Sequence, residues 1–233
     1  MAYAQRWRDR KVQMRIGSMA ALLVLLALNV FVVPFTVAPD SLFAHIVRDV
    51  LLSMILLSGV ATVSDHHRLF MAIAFVAGVA ILVRGTGWFY PPGTTPGLLD
   101  ETALFSLGIL GLVMGIKVFS AGTVTFDRIL GAIALYVLIG VVWAEAYQLI
   151  SMHVPGAYAG IVHASDSQDR SSWIYFSFVT LTTVGYGDIT PVAHAARSLA
   201  ILEALIGQLY PAIVLARLVS LHVAGGGSGT NQT

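Results

Sequence analysis

Apolar runs broken by short polar punctuation follow one another along the whole chain. A helix needs about 20 residues to cross the hydrocarbon of a bilayer. Six segments are expected to do so: 16–37, 47–63, 69–83, 98–119, one that follows Asp127 and Arg128 and continues to 152, and 195–223. Between the last two lies 171–182, which is too short to span and must re-enter or lie in the interface. The expected fold is therefore an all-α membrane protein of six transmembrane helices. Its parts are a basic segment at 1–15, four accessory helices at 16–125, a second helical unit at 126–224 that contains the short segment, and a flexible tail, GGGSGTNQT, at 225–233.

Composition supports this and removes other classes. Of 233 residues, 57% are hydrophobic and only 11% charged, more apolar surface than a soluble globule hides. The formal net charge of +1 gives no field suited to nucleic acid. Cysteine is absent, which excludes disulfides, thiolate metal sites and a cysteine nucleophile. No nucleophile with a base, metal-ligand cluster or phosphate loop is legible, so no enzyme is expected. His66 and His67 form a cytoplasmic pair, and His153, His163 and His194 are expected as outer surface residues.

Charge sets the orientation. Arg6, Arg8, Arg10, Lys11 and Arg15 precede the first apolar run in the manner of a secretory signal, and Thr36 and Ala38 are small enough for cleavage. Pro39 and the length of the run favour a retained helix instead. These basic residues then place the N-terminus in the cytoplasm. Arg68, Lys117 with Arg128, and Arg217 fall at inner ends, whereas Asp40, Asp100 with Glu101, and Asp166 with Asp169 fall outside; Arg48 and Arg84 break the pattern. Six crossings return the C-terminus to the cytoplasm of a cell membrane, and the short segment enters from outside. The loop GTGWFYPPGTTPG at 85–97 is expected to hold no regular helix, with Trp88, Phe89 and Tyr90 at the outer headgroup belt.

After the short segment comes TLTTVGYGD, 180–188. Non-helical backbone at membrane depth survives only where it is buried in protein or lines a polar cavity. If Val184, Gly185 and Tyr186 run extended with their carbonyls turned to a common axis, a dehydrated cation replaces the missing donors. Gly185 and Gly187 permit the required backbone angles, and Thr183 adds a hydroxyl oxygen at the inner end. One chain supplies one such strand, so four copies around an axis, a homotetramer in the bilayer, are needed to surround an ion.

Thr180, Thr183, Gly185, Tyr186 and Gly187 reproduce T-x-x-T-x-G-Y-G, and over 126–223 the chain resembles the potassium channel family. The resemblance implies outer helix, pore helix, selectivity filter and inner helix in that order. K+ would then be held by the carbonyls of Thr183, Val184, Gly185 and Tyr186 and by the Thr183 hydroxyl. Thr180, Thr182, Gly187, Asp188 and Tyr175 support that filter, with Tyr175 a candidate for holding its width by a hydrogen bond. Independently of the family, Ser171 or Ser172 can cap the pore helix and Asp169 sits near its positive end. Trp173, Tyr175, Phe176 and Phe178 are expected to pack around the filter. Val179 stands where some relatives place an acid, so slow filter inactivation of that glutamate type is not expected.

Glu145 and Glu203 are intramembrane carboxylates, costly enough to need partners that the sequence does not identify. Either they are satisfied structurally near the pore helix or they sense protons or ions. The fourth helix, LLDETALFSLGILGLVMGIKVF, lacks arginines at three-residue spacing, and Lys117 at its end reads as snorkelling. The connection at 120–125 is too short for a voltage-sensor lever, and no soluble regulatory domain is seen after 223. On the sixth helix Pro211 removes the amide that would bond the Gly207 carbonyl, so the two form a candidate hinge. Gln208, Pro211 or Ala212, Leu215 and Val219 recur below it, with Leu215 and Val219 a candidate constriction. The reading is a potassium-selective channel without strong voltage gating; a weakly selective cation pore or a potassium uptake transporter subunit is the alternative.

Overall fold

The computed structural model describes residues 19–33, 42–62, 67–87, 96–120, 125–160 and 170–226. The N-terminal arginines, Asp40, His66, Trp88 to Tyr90, His163, Asp166, Asp169 and the tail from 227 lie outside the described residues, as do the side chains of His67, Arg68, Arg84 and Asp100. Over the described residues each apolar run is helical, because in hydrocarbon a helix satisfies its own amides and carbonyls. The helices are α1 Met19–Val32, α2 Leu42–Thr62, α3 His67–Gly87, α4 Pro96–Phe119, α5 Phe126–His153, α6 Arg170–Leu181 and α7 His194–Gly226. Among the described residues, three stretches are long and apolar enough to cross a membrane: Glu101–Phe119, Phe126–His153 and His194–Arg217.

Several expected boundaries shift. Helix α3 runs on through Gly85 to Gly87 and α4 begins at Pro96, so both ends of the 85–97 segment expected to hold no regular helix are helical. Proline is tolerated there because the first helical amide has no partner to lose. Asp127 and Arg128 lie inside the first turn of α5, whose Thr125 hydroxyl accepts from the Arg128 amide at 3.3 Å. Helix α6 starts at Arg170, so Ser171 and Ser172 sit in its first turn and do not cap it. The Lys117 ammonium does not merely snorkel: it donates to the Thr62 carbonyl at the end of α2, one of the orphan acceptors of a helix terminus. The regular structure of the described residues is all-helical but for one short pairing. Tyr158–Ala159 (β1) and Thr190–Pro191 (β2) form a short antiparallel pair that ties the α5–α6 connection to the residues after the filter motif.

Helix α5 is the hub, packing on α4, α6 and α7, while α2, α3 and α4 pack on one another. Half of its apolar window is buried, 50%, against 11% for α7. The difference matters for function. In the single chain α7 leaves Ile201, Leu205, Leu209 and Ile213 bare, a surface suited to lipid or to further copies of the chain.

Candidate ion-conduction site

Helix α6 ends at Leu181, and the amides that follow turn back onto it. Thr182 N–H donates to the Phe178 carbonyl at 3.0 Å, Thr183 to Thr180 at 2.9 Å, and Val184 and Gly185 to Val179 at 2.9 and 3.3 Å. In a planar trans peptide the carbonyl of the preceding residue points opposite to the N–H. The carbonyls of Thr183 and Val184 are thereby aimed away from α6. Positive φ recurs at alternate positions, Thr183 at 59°, Gly185 at 60° and Gly187 at 79°, with Val184 and Tyr186 between them negative. In an ordinary strand successive carbonyls alternate sides; reversing the sign of φ at every second residue undoes that alternation. Glycine takes these angles without strain, whereas Thr183 does so against its Cβ. Its hydroxyl is held in place by Gln208 Nε2, which donates to Oγ1 at 2.8 Å.

Side chains brace this strand from behind. Tyr175 donates its hydroxyl to Asp188 Oδ2 at 2.6 Å, joining α6 to the residue that follows the TVGYG strand. Its ring stacks on Tyr186 at 6.4 Å and 2°. Thr180 and Thr182 spend their hydroxyls on the carbonyls of Phe176 and Phe178, at 2.8 and 2.6 Å, and so stiffen the end of α6. Trp173 and Phe176 are buried, both touching Tyr158, and Phe178 lies on the bare backbone of Gly140. Gly207 of α7 abuts the other side: a Cβ built there would overlap the Leu181 carbonyl oxygen.

The Tyr175 hydroxyl, helped by the Ile189 amide, holds the Asp188 carboxyl below the usual carboxylate range, against desolvation that raises it. A depressed value means the bond contributes above the ordinary aspartate pKa and is lost only as pH falls through the lowered one. In Tyr175→Phe the acid side of a conductance–pH curve should therefore move to higher pH. Superimposable curves for the two proteins would show that Asp188 is not held this way.

Glu203 of α7 is fully buried behind the pore helix. Its Oε2 accepts from Tyr147 at 2.5 Å, and its Oε1 lies 2.5 Å from Ser177 Oγ, which is also 2.7 Å from the Gly140 carbonyl. Ser177 has one hydroxyl hydrogen for two acceptors. A carboxylic acid group at 203 supplies the second hydrogen and completes the chain Tyr147, Glu203, Ser177, Gly140. Glutamine reproduces that pattern, with its amide donating to Ser177 and its carbonyl accepting from Tyr147. Glu203→Gln should thus keep near-native stability, whereas Glu203→Leu strands Tyr147 and should cost about 1–3 kcal/mol. Thermal unfolding of the purified variants separates the two. Equal losses would rule out this hydrogen count.

Glu145 of α5 is equally buried and serves the other end of α6. Arg170 reaches Oε1 through Nε at 2.8 Å and Nη2 at 2.5 Å, and Arg48 of α2 stands 3.7 Å from Oε2. Arg170 Nη1 also donates to Asn29 Oδ1 at 3.2 Å. Asn29 lies in the π-helical turn Leu28–Val32 of α1. Four helices thus meet at the first residue of the pore helix. Of this group only Glu145 was legible as special, because Asn29, Arg48 and Arg170 carry no local motif. Arg48 broke the loop-charge pattern because it is committed to Glu145.

The hinge and gate candidates Gly207, Pro211, Leu215 and Val219 all fall on α7, which runs unbroken from His194 to Gly226. Leu215 and Val219 are exposed in the single chain.

A family model described as Ion channel matches residues 132–223. The chain is 28% identical over 125 residues to Protein LctB of Bacillus caldotenax, covering 52% of this chain and 92% of that protein. It is 50% identical over 46 residues to Protein LctB of Geobacillus stearothermophilus, covering 20% of this chain and 34% of that protein. No solved structure matches the chain with significance. The match spans most of α5, all of α6, the TVGYG strand and most of α7, and the family it points to is one of ion channels.

Proposed function

We propose that the chain forms a homotetrameric, potassium-selective channel of a cell membrane, with six crossings per subunit and both termini cytoplasmic. The carrying observation is the backbone of 182–187: its first four amides are spent on the pore helix, and φ changes sign at each residue from Thr183 to Gly187. Oxygen atoms of Thr183, Val184, Gly185 and Tyr186 then offer themselves to a dehydrated cation, and Thr183 adds its hydroxyl. Rings of such carbonyls replace the hydration shell of K+. A single strand cannot encircle an ion. Val184 and Tyr186 are 54% and 71% exposed in the single chain, and α7 is largely bare, which supports assembly around a shared axis.

In this reading the pore helix aims its negative C-terminal end at the ion path, adding a favourable field for cations. Gln208 buttresses the inner end of the filter through Thr183, and Asp188 with Tyr175 buttresses the outer end. Below, Gly207 and Pro211 form the hinge region, and Leu215 and Val219 the constriction. Of the accessory helices, α1 and α2 bear on the pore through Asn29 and Arg48, which meet the Arg170–Glu145 pair, and not through a charged voltage sensor.

The protein reconstituted in planar bilayers under opposed potassium and sodium gradients tests this directly. The reversal potential should lie near the potassium equilibrium value, with a shallow dependence of open probability on voltage. A reversal near zero would establish a weakly selective cation pore instead.

A further inference from the structure

A groove of about 340 Å³ opens between α5, α7 and the end of α4, away from the filter. Its floor is aromatic. Tyr136 stacks on Tyr210 at 5.7 Å and Phe119 meets Tyr210 edge-on at 6.0 Å, while the Tyr210 hydroxyl is spent on the Ala132 carbonyl at 2.7 Å. Ile133, Val214 and Leu215 complete an apolar lining. Such a groove receives a chain that needs no hydrogen bonds.

One end of the groove is different. Arg128 and Arg217 both line it and converge on a single residue: Arg128 Nη2 donates to Ser120 Oγ at 2.8 Å, and Arg217 Nη2 donates to the Ser120 carbonyl. Arg217 also stands 5.6 Å above the Phe119 ring. The segment 117–128 and position 217 together carry Lys117, Arg128 and Arg217 against one acid, Asp127. Two guanidiniums brought to one residue concentrate positive charge at this end of the groove, which attracts an anion. Their planar forks match phosphate oxygens.

We propose that this groove binds an anionic phospholipid, with one acyl chain on the Tyr136 and Tyr210 floor and the phosphate held by Arg128 and Arg217. The charge at one end and the apolar lining of the remainder select this occupant over a wholly apolar one. The site lies at the end of α7 that carries Leu215, so an occupant there bears on the movement of that helix. It does not depend on which ion the pore conducts.

Detergent-purified protein titrated with phosphatidylglycerol or phosphatidylcholine of matched acyl chains, read by native mass spectrometry, tests it. Phosphatidylglycerol should be retained preferentially by about thirtyfold, as expected of two arginines beside an anionic headgroup. Arg128→Gln with Arg217→Gln should abolish the preference, and Val214→Trp should reduce retention of both lipids. Equal retention by the unaltered protein, or undiminished preference in the double variant, would overturn the proposal. A photoreactive benzoylphenylalanine at Ile133 supplies a measurement independent of those variants. Crosslinking to phosphatidylglycerol supports the site; crosslinking to a second copy of the chain shows that a subunit fills the groove and overturns it.

Discussion

Glu145→Ala should destabilise the protein by about 3–5 kcal/mol, because it takes from the largely buried Arg170 guanidinium the carboxylate that it contacts twice. Arg170 makes two contacts to Glu145 Oε1, at 2.8 and 2.5 Å, and the carboxylate is wholly inaccessible. Arg48 loses the same partner from 3.7 Å. The damage is not confined to stability. Arg170 is the first residue of α6, so its release frees the start of the helix whose other end holds the amides of Thr182 to Gly185. Open probability should change with little change in ion selectivity, since the filter's own hydrogen bonds remain. Glu145→Ala combined with Arg170→Met should recover part of the lost stability, since the guanidinium bonded most closely to Glu145 goes with it and only Arg48, at 3.7 Å, still loses that partner. Thermal unfolding of the two single variants and the double variant gives the coupling. Additive losses would mean that the pair is screened by solvent and contributes little.

Legibility in the sequence followed the distance between interacting residues. The TVGYG strand could be read because its constraints are local: glycines at alternate positions allow the alternating φ, and the carbonyls that accept from its amides lie three to six residues away. Helix positions were legible for the same reason, since a helix in lipid bonds within itself. Glu145 and Glu203 could be recognised as costly, but their partners could not. Arg170 lies 25 residues from Glu145 and 141 from Asn29, and Tyr147 lies 56 from Glu203. Nothing in local composition encodes such pairings. The β1–β2 pair escaped because two residues per strand carry no periodicity. Gly207 was read as a hinge from its spacing to Pro211, yet a second demand on it, contact with Leu181, arises only from packing.

That second demand makes Gly207→Ala the more severe of the two substitutions at the proposed hinge. A methyl group at 207 has no room beside the Leu181 carbonyl, and backbone yields less readily than a flexible side chain. The cost of overpacking is typically about 1–3 kcal/mol, and here the strain falls on the residue immediately before Thr182 and Thr183. Those two amides bond to Phe178 and Thr180, and Thr183 Oγ1 is bonded by Gln208, the neighbour of Gly207 itself. Displacing α7 therefore disturbs the inner end of the filter as well as any bend below it. Pro211→Ala restores a missing amide and removes a ring without adding bulk near Leu181. It should straighten α7, changing open probability while leaving the reversal potential where it was. Gly207→Ala should lower both stability and conduction, with selectivity altered. Single-channel records and thermal unfolding of the two variants distinguish the roles. If Gly207→Ala changes open probability alone, its contact with Leu181 does not constrain the filter, and glycine at 207 serves only the bend.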